Sequence, residues 1–125
     1  MQYFESESEV EEFLKIEEFL EEHKEENGMS EQEHAIKRLE TLELTAKAEA
    51  RRVLEEKGVD TRLRDGLRTI VNVVNFNKMS PVEICEVLKA HINYLVSYFS
   101  EVPVVKRLKM LINSMTHIEE KYNLA

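Results

Sequence analysis

The stretch SPVEICEVLKAHINYLVSYF (Ser80 to Phe99) decides the fold. Ser80 reads as an N-cap whose hydroxyl accepts from a backbone N–H of the first turn. Pro81 follows at the first helical position, where a missing N–H costs nothing, and Glu83 completes an S-x-x-E capping box. At 100° per residue, Glu83, Glu86, Lys89, Asn93 and Ser97 gather within about 120° of arc, and nearly every other position is apolar. So narrow a polar strip predicts a central helix over 81–99, covered on two or three sides. The strip carries charge along its length, which argues against a membrane span. His91 falls inside the apolar arc among Val87, Leu88, Tyr94, Leu95 and Tyr98. The expectation is a packed core histidine, with a pocket histidine beside Tyr94 or Tyr98 as the enzymatic alternative.

Moving backwards, Asp60 is the expected cap of a helix over 61–77, with Leu63, Leu67, Ile70, Val71 and Val74 on its inner face. Asn72, Asn75 and Asn77 weaken its end. Moving forwards, Pro103 opens a helix over 103–122. Its seam Val104, Leu108, Leu111, Met115, Ile118, Tyr122 is spaced 4-3-4-3-4 and widened by Val105 and Ile112, too short for a free coiled coil and suited to intramolecular packing.

The N-terminal half reads as an acidic helical hairpin. Ser8 with Glu11 caps a helix over 8–26, closed by Asn27-Gly28. Ser30 with Glu33 caps a long helix over 31–57, about 40 Å in length and stopped by Gly58. Its seam is Ile36, Leu39, Leu42, Ala46, Ala50, Val53, Leu54. The expected fold is therefore all-α: a five-helix bundle forming one domain over 1–125, with an acidic hairpin (1–59) against a three-helix unit (60–125). Three glycines and two prolines in 125 residues leave little room for the turns of an all-β fold.

Charge divides the chain at the same place. Residues 1–59 hold 18 Glu against 8 Lys and Arg, and residues 60–125 hold 7 acids against 9 bases, within an overall net charge of −8. The acidic part is expected to steer the chain towards a partner protein with a basic surface. The single Cys85 allows no internal disulfide and lies in the apolar arc, so it reads as a small core residue in a reducing compartment. The acidic start MQYFESESEVEE lacks the basic region of a secretory signal, so a cytoplasmic location without membrane attachment is expected.

Motifs for chemistry are sparse. Glu17, Glu18, Glu21 and Glu22 form an EE-x-x-E pattern that resembles the Mg²⁺-holding pairs of all-α nucleotide pyrophosphohydrolases. Those enzymes also need E-x-x-D on a following helix, and no E-x-x-D occurs in this chain. The four glutamates read instead as a solvated face and a partner-docking candidate. A single E-x-x-H (Glu31, His34) falls short of the two that a di-iron bundle requires. No phosphate loop, zinc-type spacing or nucleophile elbow occurs, so neither a cofactor nor a metal nor an enzymatic activity is expected. Met110 points away from its helix seam and is a further partner candidate.

Arg51, Arg52, Arg62, Arg64 and Arg68 cluster around the second junction and are the candidates for nucleic-acid contact. Glu55, Glu56, Asp60 and Asp65 interleave with them, and no aromatic residue stands among them in sequence for base stacking. The leading expectation is a non-catalytic interaction protein acting by helix-face docking, either with another protein or as a homodimer. The alternative is a helical subunit of a nucleoprotein complex, and the third reading is an enzyme around His91.

Overall fold

The structure, a computed structural model, describes residues 15, 30–73 and 78–124. The described residues form an all-helical fold of four helices: α1 (Glu31–Leu54), α2 (Thr61–Asn72), α3 (Pro81–Phe99) and α4 (Pro103–Tyr122). Apart from Lys15, the helix expected over 8–26, with Glu17, Glu18, Glu21 and Glu22, lies outside the described residues.

Three of the starts follow the capping logic. Ser30 Oγ accepts from the Glu33 N–H at 3.2 Å, and Ser80 Oγ accepts from the Glu83 N–H at 3.2 Å. Asp60 Oδ1 accepts from the Arg62 N–H at 2.8 Å. Each hydroxyl or carboxylate satisfies a donor that the first turn would leave orphaned. At the far end Asn123 takes a left-handed conformation (φ 57°), and the Leu124 N–H reaches back to Glu119 O at 3.0 Å. That six-to-one bond closes α4 in the Schellman manner.

Two ends differ from the sequence expectation. The helix expected to reach Lys57 stops at Leu54, because Arg64 of α2 reaches back and takes its last carbonyls. Arg64 Nη1 donates to Leu54 O at 2.6 Å, and Nη2 donates to Glu56 O at 2.5 Å. The planar fork of a guanidinium suits two diverging carbonyls. The Glu56 N–H tightens the last turn onto Val53 O, and Gly58 (φ 80°) then turns the chain. The helix expected over 61–77 runs regularly only to Asn72, followed by a tighter turn at Val73. Residues 74–77 lie outside the described set.

The central position belongs to α1. It buries eleven of its 24 residues, whereas α3 buries four of its 19: Cys85, Leu88, Ile92 and Leu95. Helix α1 packs against α2, α3 and α4, while α2 also packs on α3 and α3 on α4. Of the expected seam, Leu39, Leu42, Ala46, Ala50 and Val53 are fully buried, while Ile36 and Leu54 are half-buried; the alanines let neighbouring backbones approach. The α4 seam is buried as expected, and so are Val105 and Ile112, which widen it. The apolar character of α3 is therefore only partly spent on the core. Among the described residues no helix is long and apolar enough to cross a membrane.

Candidate functional site

Charged groups line the inside of the bundle. On α1, Lys47 pairs with Glu43 one turn earlier, both buried. Glu49 of α1 meets Arg107 of α4, with Nη1 3.9 Å from Oε1 and both residues buried. Lys89 of α3 donates to Glu119 of α4, and stands 2.8 Å from Glu86 on its own helix. Burial opposes the charge on Lys89, but its hydrogen bonds to Glu119 and Glu86 outweigh that and raise its pKa. Burial first, and then the hydrogen-bonding neighbour Glu86, push the Glu119 carboxyl up to about 7. Glu86 is held below the ordinary carboxylate range by its hydrogen bonds to Glu119 and Lys89.

Cys85 lies against this cluster, its thiol donating to Leu39 O at 3.5 Å. Burial, with Glu43 and Glu119 near by, pushes the thiol up to about 12. A thiol so raised is held protonated and unreactive. His34 is also buried, and neither ring nitrogen finds a hydrogen-bond partner among the described residues. Among the described residues no group of three His, Cys, Asp or Glu side chains could hold a metal ion. Two of these pairs, Glu49–Arg107 and Lys89–Glu119, join α4 to α1 and α3, so sliding α4 along either helix would strand a desolvated charge.

The outer surface carries the second feature. Tyr94 and Tyr98 of α3 are about 60% exposed, with ring centroids 5.2 Å apart. Phe99 continues the row, its ring centroid 6.4 Å from that of Tyr98. Arg62 of α2 lays its guanidinium 5.7 Å from the Phe99 centroid. The antiparallel approach of α2 and α3 creates this meeting, because Gly66 lets α2 close onto Leu95 and so brings Arg62 to Phe99. An arginine candidate thus has an aromatic neighbour that linear sequence spacing conceals.

The remaining candidates disperse. His91 is half-buried on the outer face beside this row, not packed in the core as its place in the apolar arc suggested. The reason is that Tyr94 and Tyr98, counted there as apolar, face solvent. Arg64 is spent on the end of α1. Arg62 and Arg68 make loose exposed pairs with Asp60 (3.8 Å) and Asp65 (3.7 Å). Arg51 and Arg52 are exposed on the last turn of α1. Met110 is half-buried and lines a shallow groove of about 390 Å³ with Val96, Ser100, Lys106 and Lys109. No protein-family model, curated protein or solved structure matches the chain.

Proposed function

We propose that the protein is a non-catalytic interaction module that docks partners through a helix face. The observation that carries the reading is the exposed aromatic row Tyr94–Tyr98–Phe99 on α3, flanked by Arg62. Tyrosine and arginine dominate the energetics of protein interfaces, since each gives large contact area with a polar handle. Two adjacent tyrosines left about 60% exposed, while the seam of α4 is buried throughout, fit that use. The full architecture in this reading is the five-helix bundle in the cytoplasm. Its acidic hairpin, with Glu17, Glu18, Glu21 and Glu22, steers the approach of a basic partner surface.

The test is paired affinity capture from the native host with the wild-type chain and with Tyr94→Ser/Tyr98→Ser. Unchanged far-UV circular dichroism and melting would show that the variant is folded. Proteins held by the wild type and released by the variant support the reading. An identical set in both would overturn it.

The second reading is nucleic-acid contact, and the Arg62–Phe99 stack favours it, because an aromatic plane beside a guanidinium can accept an unstacked base. Retention on single-stranded RNA at low salt, lost on Arg62→Ser, is its expected result.

A further inference from the structure

The charges inside the bundle do not balance. Around the Cys85 thiol stand three carboxyl groups and two ammonium groups: Glu43 with Lys47 on α1, Glu86 with Lys89 on α3, and Glu119 on α4. Lys47 answers Glu43 one turn away. Lys89 is left to answer two carboxyls, Glu119 across the α3–α4 contact and Glu86 on its own helix at 2.8 Å. Among the described residues, Lys89 and Glu86 are the charges that act on Glu119.

One carboxyl is thus in excess, and the two differ in their access to water. The Glu86 side chain is 51% exposed, whereas that of Glu119 is 2% exposed. Glu119 Oε2 is buried and accepts no hydrogen bond among the described residues. Ionised, Glu119 would hold an incompletely paired charge away from solvent. A proton on it removes that charge and supplies a donor, which the neighbouring Glu86 carboxylate accepts. Two carboxyls that share a site resist ionising together, and the buried one keeps the proton.

We infer that Glu86 and Glu119 hold one proton between them, and that this proton clasps the first half of α3 to the last turns of α4. The clasp is a pH-responsive joint set apart from the aromatic row of α3, and it stands or falls independently of the interaction reading. With the proton bound, Glu86 and Lys89 both hold Glu119 across the helix contact. With the proton lost, Glu86 turns to water and Glu119 keeps Lys89 alone. The joint is therefore tight on the acid side and loosens as pH rises. For one proton leaving around pH 7, the opening equilibrium rises about tenfold between pH 6 and pH 8.

The test combines carboxyl-carbon NMR with amide exchange on the full chain. The Glu119 carboxyl is expected to titrate at about 7, and that of Glu86 below the ordinary carboxylate range. Glu86→Gln keeps the size of an exposed side chain and removes its charge, so the Glu119 midpoint is expected to move down; a carboxyl raised by burial alone would not respond. Amide exchange, corrected for its intrinsic pH dependence, is expected to quicken about tenfold from pH 6 to pH 8 over 83–89 and 115–122, to change less in α2, and to lose the effect in Glu119→Gln. A Glu119 carboxyl that titrates in the ordinary range overturns the inference, as does a midpoint indifferent to Glu86→Gln. So does an exchange effect that is uniform over the four helices or survives Glu119→Gln.

Discussion

Gly66→Ala tests the closest approach in the bundle. Gly66 sits inside α2, where alanine is ordinarily better by about 1 kcal/mol because it restricts the unfolded chain. A Cβ built at Gly66 would stand 3.1 Å from Leu95 Cγ and 3.4 Å from Cδ1, with Cδ2 nearer still. Carbon atoms in contact prefer about 3.5–4.0 Å. Leu95 is fully buried, so its side chain has no solvent to swing into. Forcing a methyl group into a close-packed core costs about 1–3 kcal/mol. The clash therefore exceeds the helix gain, and the net effect is a loss of about 1 kcal/mol. Leu95→Ala alone opens a cavity and costs about 2–5 kcal/mol. Combined with Gly66→Ala, the clash vanishes, the helix gain returns and the new methyl fills part of the hole. The double variant is expected to be more stable than Leu95→Ala by about 1 kcal/mol, which makes the two sites strongly non-additive. Urea unfolding followed by circular dichroism measures all four corners of the cycle. A stabilising Gly66→Ala with additive energies would refute the packing argument.

Arg64→Ala should cost about 1–2 kcal/mol by releasing the carbonyls of Leu54 and Glu56, and Arg64→Lys should recover only part of it, since an ammonium cannot fork; thermal melts decide. The carboxyl of Glu119, raised from the ordinary 4.5 to about 7, holds a proton in the folded state that the unfolded chain releases. Its contribution to stability therefore falls as pH rises from about 4.5 to about 7, and Glu119→Gln should flatten that slope in urea midpoints taken across the window. The Cys85 thiol, buried and pushed up to about 12, should resist an aromatic disulfide reagent in the folded protein and react promptly in denaturant; fast labelling without denaturant would contradict its packing.

Much of the local structure is legible in the sequence. The caps at Ser30, Asp60 and Ser80 each rest on one side chain and the next turn, so local chemistry settles them. The α4 seam is legible because the helical period and the burial coincide. Centrality is not legible. Lys47 and Glu43 form an i,i+4 charged pair, yet both are buried, because burial depends on neighbours that sequence spacing does not reveal. Conversely, the apolar count of α3 includes Tyr94 and Tyr98, whose rings lie in solvent and give the helix a second face instead of a thicker core. The end of α1 is hidden for the same reason: the group that ends it, Arg64, belongs to the next helix. The aromatic row beside Arg62 appears only once α2 and α3 lie antiparallel, which no motif of either helix announces.

The corner that Arg64 clasps also bears on the order of assembly. Its two hydrogen bonds span only eight and ten residues, whereas α4 must return across the whole chain to reach α1. Loops of about ten residues close in about 10–100 ns, long before distant helices meet. The short span of the clasp favours the α1–α2 corner as an early contact in folding, ahead of the distant packing of α3 and α4. A folding φ-value for Arg64→Ala near 1 is the kinetic signature of such an early contact, and a value near 0 would mean that the clasp closes last.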